Sequence, residues 1–195
     1  REAAEKEILP RFGHVTGVDK SKHAYREVVT EADLGASMYV LDRIRKKFLG
    51  SYSEEHRYPD RWDHGLVWQL DPVDGTDEFV AGMRDGFACH AALLEKRSDA
   101  TYRPVAGVLY LPGVDKIWCA DGSGEIAFFE GGRRRQIPVS GREEVVGWVR
   151  KTDPNDALAA WYERFARGKG MSCRVVEGGG SGASISDLLE GRVNL

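Results

Sequence analysis

Apolar residues recur at helical spacing in the first third of the chain. One such series predicts a helix that starts near Asp33 and stops before Gly50, with basic residues in its last turn. Its apolar members are Leu34, Met38, Leu41, Ile44 and Phe48. A further helix is predicted over residues 2–12, where Pro10 should bend or shorten it.

Two more helices are predicted in the last third of the chain. One begins at the cap and first-turn proline Asp153-Pro154 and stops at Gly168. Its apolar face is formed by Leu158, Trp161, Tyr162 and Phe165. The other runs from Ser181 to Glu190 and is ended by the glycine that follows.

Between residues 86 and 130 the pattern changes to short strands separated by Gly, Pro, Asp and Ser clusters. The predicted strands cover 87–94, 105–111 and Lys116–Ala120. A shorter apolar run over 66–70 is bounded downstream by proline and glycine and is also predicted to be a strand. Helices on both sides of a sheet-rich middle imply layers of both types.

The strand at 66–70 leads directly into the most informative stretch of the chain, Asp71-Pro72-Val73-Asp74-Gly75-Thr76. Pro72 favours an extended Asp71, so this carboxylate should project from the strand end. The two residues between Asp71 and Asp74 allow both acids to converge on one cation. Gly75 permits close approach of a ligand to the backbone, and Thr76 can open a helix whose first amides attract an anion. The stretch therefore indicates a site for a hard metal and a phosphate.

Acidic residues at two other element boundaries extend this hypothesis. Two magnesium ions bridging a phosphate need several oxygen ligands and a group that orients the attacking water. Glu54, Asp71 and Asp74 are candidate ligands, while Asp33 and Thr76 are candidates for handling the water. The competing interpretation makes Asp33 a helix cap and Glu54 part of a solvated acidic pair, because caps and surface acids are common.

Composition excludes several classes of protein. The 195 residues are 42% hydrophobic and 30% charged, which is enough for one core or for two closely packed halves. A net charge of -3 gives no electrostatic drive toward nucleic acid or anionic membrane. No apolar run is long enough to span a membrane, and without a secretory leader the expected location is the cytoplasm. The three scattered cysteines suggest neither a disulfide framework nor a zinc site.

Other motif interpretations agree less well with the spacing. The acids at 71 and 74 do not match the alternation of a calcium loop, and residues 178–182 lack the lysine of a phosphate-binding Walker loop. Arg133, Arg134 and Arg135 are interpreted as a solvated hairpin tip. His90, among small apolar residues on a predicted strand, is interpreted as a core histidine with satisfied hydrogen bonds.

The motifs resemble those of one known family. The segment 28–33, Ser53-Glu54-Glu55, and Asp71 to Thr76 followed by Glu78-Phe79 look like the successive motifs of the inositol monophosphatase-like family of magnesium-dependent, lithium-sensitive phosphatases. Residues 179–195 resemble its later glycine-rich turn, helix and strand, so the resemblance covers nearly the whole chain.

The resemblance implies a fold. The expected class is α/β: a five-layer α/β/α/β/α sandwich of the sugar-phosphatase type, formed as a single domain over 1–195 from two packed halves, roughly 1–140 and 141–195. Members of the family often form dimers, so a homodimer is one expected assembly.

The resemblance also implies residue roles and a cofactor. Glu54, Asp71 and the Val73 carbonyl would hold a first metal, and Asp71 and Asp74 a second, in a site for two or three Mg2+ ions. Asp33 and Thr76 would polarise the attacking water. The substrate, a small phosphate ester, would contact Gly75, Thr76, Gly180 and Ser181.

One departure from the family pattern affects the expected activity. The family carries a downstream Trp-Asp motif that completes the second metal site, and the chain ends at Leu195 before any such motif, so we expect the C-terminal part to be incomplete. A phosphatase-like binding protein that cannot turn over is the alternative hypothesis.

The substrate is predicted from finer detail. Glu78-Phe79 and the 180–191 segment favour the 3'(2'),5'-bisphosphate nucleotidase branch, with inositol 1-phosphate or another polyol phosphate as the alternative. Ser184 and Asp187 depart from the residues that relatives carry there, which weakens a detailed assignment.

Overall fold

The computed structural model of this chain describes residues 1–19, 28–46, 50–53, 55, 65–137, 144–150 and 156–192. Its strands are β1 (Val18–Asp19), β2 (Val28–Val29), β3 (Gly50–Ser53), β4 (Leu66–Asp74), β5 (Ala88–Lys96), β6 (Tyr102–Leu111), β7 (Lys116–Ala120), β8 (Ile126–Glu130), β9 (Arg133–Arg135), β10 (Glu144–Arg150) and β11 (Ser172–Gly178). Its α-helices are α1 (Glu31–Arg45), α2 (Thr76–Val80), α3 (Asp156–Gly168) and α4 (Ser181–Leu189). Single helical turns of other types cover Ala4–Ile8, Leu9–Arg11 and Pro112–Val114.

The described strands from β3 to β9 form one seven-stranded sheet in chain order. β3 runs parallel to β4, and every later neighbour is antiparallel. β10 and β11 form a separate parallel pair, against which α3 packs. The arginines at 133–135 were predicted to lie at a hairpin tip. They instead form the exposed edge strand β9, because Gly131-Gly132 makes the turn.

Each face of the large sheet is covered by different helical elements, because successive side chains of a strand point to opposite faces. On one face, Val73, Phe87 and Tyr110 pack with the N-terminal turn and α1 in a common core. On the other face, Ala88 and Leu111 pack against Ala183 of α4. Sheets and helices therefore lie in layers, and the predicted layered α/β class is confirmed.

The apolar spacing predicted α1 but not its buried face. The helix begins at Glu31 after the cap Thr30, two residues before the expected start, and ends at Arg45. Leu41 is 1% exposed, but Leu34 and Met38 are 41% and 56% exposed. Small residues occupy the buried face instead, namely Ala32, Ala36 and Ser37. Short side chains let the helix axis approach β3 and β4 closely, which larger ones would prevent.

The other predicted elements differ from the structure mainly at their ends. α4 begins at Ser181 and β7 covers Lys116–Ala120, both as predicted. The start predicted for the second helix at Asp153-Pro154 lies outside the described residues; α3 ends at Gly168 as predicted, although Trp161 is 45% exposed. The predicted helix at 2–12 is a π-helical turn followed by a 3-10 turn that contains Pro10.

Two further expectations concern membranes and cysteines. Within the part of the chain that the structure describes, no helix is both long and apolar enough to cross a bilayer. Cys89, Cys119 and Cys173 lie within the described residues, form no disulfide with one another and are each half-buried.

Candidate active site

The carboxylates of Asp71 and Asp74 come to one face of the sheet through an irregularity in β4. The strand was predicted to end before Pro72, but it continues to Asp74. Asp71 pairs with His90 and Asp74 with Ala88, so β4 advances one residue more than β5 between the two pairs. Such a bulge tolerates proline. It also places Asp71 and Asp74, which are three residues apart, on the same side of the strand, whereas a regular strand would place them on opposite sides. Because Ala88 faces α4, both acids lie on the α4 side of the sheet.

Gly75 turns the chain from β4 into α2. It is the cap of α2 and has φ of 82°, a left-handed conformation that favours glycine. A Cβ atom at this position would lie 2.6 Å from the carbonyl oxygen of Gly86. The turn places the hydroxyl of Thr76 3.0 Å from the Val73 carbonyl oxygen and 3.3 Å from Asp33 Oδ1. The expectation that Thr76 opens a helix is confirmed.

Asp33 belongs both to the start of α1 and to this cluster. Its Oδ2 accepts hydrogen bonds from the Thr30 amide at 2.8 Å and the Thr30 hydroxyl at 2.6 Å, while Oδ1 faces Thr76. Thr30 is therefore the N-cap of α1, and Asp33, at position N3, completes a capping box with it. The side chain is fully buried. Burial raises the pKa of its carboxyl against the hydrogen bonds from Thr30, and the charge of Glu55 raises it further.

Asp74 joins the strand to the first residues of α4. The Ser181 hydroxyl donates to Asp74 Oδ1 at 2.6 Å, and the Gly182 amide donates to Oδ2. Burial alone would raise the pKa of the Asp74 carboxyl, but contacts with His90, Ser181 and Gly182 outweigh it and lower that pKa. The carboxylate is thus held ionised, with its orientation determined by α4.

The glycine-rich turn packs against the backbone next to Asp74. The Gly180 amide donates to the Gly86 carbonyl oxygen at 2.6 Å. A Cβ on Gly180 would lie 2.7 Å from the Cα of Gly75 and 3.0 Å from Asp74 Oδ2. The structure therefore brings together most of the predicted site residues, from three separate segments: Asp33, Val73, Asp74, Gly75, Thr76, Gly180 and Ser181.

His90 is a site residue that the sequence interpretation assigned to the core. Its Nε2 lies 3.5 Å from Asp74 Oδ2, a distance typical of an electrostatic contact and too long for a good hydrogen bond. A Cβ on Gly182 would collide with the same nitrogen. Its strand position alone gave no signal, because only the register of β5 shows that His90 lies opposite Asp71.

Glu54, the remaining predicted metal ligand, lies outside the described residues. β3 ends at the preceding residue, Ser53, which pairs with Leu70 next to Asp71. Ser53 is fully buried and its hydroxyl accepts from Ser37 of α1 at 2.7 Å. Since parallel strands end at the same edge of a sheet, the chain leaves β3 at the edge where Asp71 lies.

The donors in this cluster suit a hard cation. Among the described residues, no three His, Cys, Asp or Glu side chains come close enough together to hold a metal ion. The available donors are the Asp71 and Asp74 carboxylates and the Val73 carbonyl, all oxygens, which Mg2+ prefers. Burial raises the pKa of the nearby Cys89 thiol to about 12, and the charges of Asp71, Asp33 and Asp74 act in the same direction. A bound cation would neutralise the like charges of these carboxylates.

Comparison with known proteins identifies the family. The model of the inositol monophosphatase family matches residues 2–195. The chain belongs to this family. One similar member is the fructose-1,6-bisphosphatase/inositol-1-monophosphatase of Thermotoga maritima. It is 32% identical over 142 residues, which cover 72% of this chain and 51% of that protein.

Other family members align over more of the chain. The 3'(2'),5'-bisphosphate nucleotidase CysQ of Escherichia coli K12 is 32% identical over 185 residues, covering 88% of this chain and 71% of CysQ. The solved structure of a Thermotoga maritima IMPase superposes with a TM-score of 0.72 at 26% identity, covering 98% of this chain and 70% of that one. The chain thus spans between about half and about seven tenths of the length of these relatives.

Proposed function

We propose that the protein hydrolyses a small phosphate monoester by attack of a water molecule, with Mg2+ as cofactor. The observation that carries this proposal is the position of the Thr76 hydroxyl between Asp33 Oδ1 and the Val73 carbonyl, beside two carboxylates on one face of the sheet. Mg2+ held by Asp71, Asp74, Val73 and, by the family resemblance, Glu54 would lower the pKa of a bound water and neutralise phosphate charge.

The protein's own groups supply the orientation and the proton acceptor. Thr76 has one hydroxyl proton, which it donates to Asp33. The lone pairs of the same hydroxyl oxygen can then accept a hydrogen bond from the attacking water. Asp33 Oδ1 accepts from the Thr76 hydroxyl and can take up the proton of the water through it, so it suits general-base catalysis. Gly75 and Gly180 pack closely against each other, and Ser181 donates to Asp74, so these three residues lie next to the proposed metal ligand Asp74. By the family resemblance they would contact the phosphate.

For the substrate, we infer a 3'(2'),5'-bisphosphate nucleotide. The long alignment with CysQ supports this class. A cavity of about 530 Å3 begins at Gly179, the neighbour of Gly180, and is large enough for a nucleoside. Its wall combines the apolar side chains of Met83, Leu111 and Val176 with charged groups of both signs. These are Arg174, Lys116, Arg192, Asp85, Asp187 and Glu190.

The role of Glu78, which favoured this class in the sequence, is indirect in the structure. Its side chain is fully buried in α2, and it lies beneath Gly75 and Gly86 rather than facing solvent. Glu78 would therefore influence the substrate only through the backbone turn that it supports. The alignment with the Thermotoga enzyme favours the alternative, an inositol phosphate.

The test is phosphate release by the complete gene product with Mg2+. The substrates are adenosine 3',5'-bisphosphate, inositol 1-phosphate, fructose 1,6-bisphosphate and histidinol phosphate. We expect hydrolysis that excess chelator abolishes, inhibition by low-millimolar lithium as the family resemblance implies, and the highest kcat/KM on the nucleotide. A preference of tenfold or more for inositol phosphate, about 1.4 kcal/mol of transition-state binding, would exclude the nucleotidase assignment.

The Asp74→Asn variant tests the site itself. We expect it to remove most activity while the far-UV spectrum and the cooperative unfolding transition are retained, because asparagine keeps one acceptor oxygen for the start of α4 but loses the charge. Full activity of this variant, or hydrolysis in excess chelator, contradicts the proposed mechanism. Phosphate binding without hydrolysis of any substrate would favour the phosphatase-like binding protein instead.

A further inference from the structure

The N-terminal end of α4 fits its surroundings with little tolerance for movement. Ser181 and Gly182 both donate to the Asp74 carboxylate, and Gly182 has no room for a Cβ against His90. The preceding amide, of Gly180, bonds to the Gly86 carbonyl oxygen at 2.6 Å. A small displacement of the helix would break these contacts, so some feature must determine its position on the sheet.

The apolar contacts between α4 and the sheet are few. The buried cluster between the helix and the sheet is small, consisting of Ala88, Leu111 and Ala183 with Leu109 packed against it. Apolar burial is non-directional, so it does not by itself select one orientation of the helix. A directional interaction is needed to hold the helix in one place.

Such an interaction lies at the C-terminal end of α4. Lys116 Nζ of β7 donates to both carboxylate oxygens of Glu190, each at 2.7 Å. The side chains of this pair are only 10% and 12% exposed, so solvent screens their attraction weakly. Arg192 reaches Glu190 Oε2 at 2.8 Å from the more exposed side.

A second link connects the same carboxylate to the sheet. The Trp118 indole donates to the Ser186 hydroxyl at 3.0 Å, and Ser186 donates to Glu190 Oε1 at 3.1 Å. Lys116 and Trp118 are two residues apart in β7 and therefore point to the same face. Trp118 is 3% exposed and stacks on Phe128 with ring centroids 4.0 Å apart, which makes it a rigid anchor.

We propose that the Lys116–Glu190 ion pair, together with the Trp118–Ser186 hydrogen bond, positions α4 so that Ser181 and Gly182 meet Asp74. α4 has nine residues and is about 13 Å long, so it acts as a short rigid rod. Holding its C-terminal end therefore determines where its N-terminal end lies. Lys116 and Glu190 are positioning residues, and only their effect on catalysis rests on the proposed function.

Hydrogen exchange of the Gly182 amide tests this positioning without any activity measurement. We compare Lys116→Met, which keeps the length of the side chain, with the matched control Arg103→Met. The control removes an exposed 2.6 Å ion pair with Glu95 on the same sheet, away from α4. In chelator, we expect the Gly182 amide to exchange at least about tenfold faster in Lys116→Met, while amides of Ala91 to Leu93 in β5 and those of the control are unchanged.

Two further variants separate positioning from general stability. Lys116→Arg should restore most of the Gly182 protection, since it keeps the charge. Ser186→Ala should show a smaller acceleration at Gly182 and covers the case in which Lys116→Met fails to fold. Equal acceleration at Gly182 and in β5, or protection of Gly182 unchanged in both Lys116→Met and Ser186→Ala, would overturn the proposal.

Kinetics provide the second readout. If the protein is a phosphatase, Lys116→Met should lower kcat about tenfold at temperatures well below its unfolding transition, and Arg103→Met should not. Because Lys116 also lines the cavity assigned to the substrate, a higher KM with unchanged kcat would indicate a lost substrate contact and would contradict the positioning role in catalysis. An inactive wild-type protein would contradict the proposed function but would leave the exchange result, and therefore the positioning role, intact.

Discussion

At the scale of single residues, Asp33 shows how a structural role and a catalytic role share one side chain. One carboxylate oxygen completes the capping box of α1 and the other faces the Thr76 hydroxyl. The sequence left two roles open for Asp33, capping of the helix and orientation of the water. Because each role uses a different carboxylate oxygen, one side chain can perform both. Burial makes the ionised form of this carboxyl unfavourable, which is the physical reason for its raised pKa.

Asp33→Asn tests the thermodynamic consequence. Because the folded-state pKa of Asp33 lies above the ordinary value of 3.8, its contribution to stability is complete below that value and is lost as pH rises through the folded pKa. Asparagine does not titrate, so in chelator the variant should gain stability relative to wild type as pH rises through this window. Urea unfolding at a series of pH values measures the difference.

The same variant should also lose activity, because asparagine cannot accept the proton. We expect kcat to fall by about 100-fold or more, the usual contribution of a general base. Asp42→Asn, on the exposed side of α1, is the control and should change neither quantity. A stability difference between wild type and Asp33→Asn that does not change with pH would contradict the raised pKa.

At the scale of elements, the site depends on the junction of β4, Gly75 and α2. The bulge in β4 turns Asp71 and Asp74 toward α4, and the left-handed Gly75 then directs Thr76 toward Asp33. The backbone of Gly86 contacts this junction closely enough to exclude a Cβ at Gly75. The turn is therefore constrained both by its own conformation and by a neighbouring segment.

Gly75→Ala and Gly124→Ala separate these two constraints. Gly124 has a similar φ of 85° and open space around it, so alanine there should cost only the left-handed strain, about 1–2 kcal/mol of unfolding free energy. At Gly75 the clash with Gly86 should add about 1–3 kcal/mol. Denaturant unfolding measures both, and equal costs would show that the Gly86 contact is unimportant.

At the scale of the whole molecule, the site lies where separate layers meet. Asp33 comes from the helix on one face of the sheet, Asp74 from the sheet, and Ser181 from the helix on the other face. Acidic groups from different layers repel one another when no cation is present. A bound cation would remove that repulsion, so metal binding and global stability should be linked.

Mg2+ should therefore stabilise the complete gene product against unfolding. At a concentration 100 times its Kd, the gain should be about 2.7 kcal/mol, seen as a rise in Tm. Asp71→Asn removes a proposed ligand and should abolish this rise, whereas NaCl of equal ionic strength should not reproduce it. An equal Mg2+-dependent shift in Asp71→Asn would show that the ion binds elsewhere.

The sequence alone determined the features that depend on neighbouring residues. Strand pattern and turn residues located β7 at Lys116–Ala120, and the glycines on both sides of the segment located α4 from Ser181. The turn at Gly75 and the helix that opens at Thr76 could be predicted because both depend on residues within one turn of the chain. Interactions over a few residues depend little on the rest of the fold, which is why such patterns were sufficient.

Only the tertiary structure decided the features that depend on packing between distant segments. The bulge that carries β4 past Pro72 exists because β5 pairs with it, and the same pairing brings His90 to Asp74. Leu34 and Met38 are exposed because the sheet selects the small-residue face of α1. The bond between Ser181 and Asp74 joins residues 107 positions apart. No local pattern encodes such a contact, because it depends on where the whole sheet places α4.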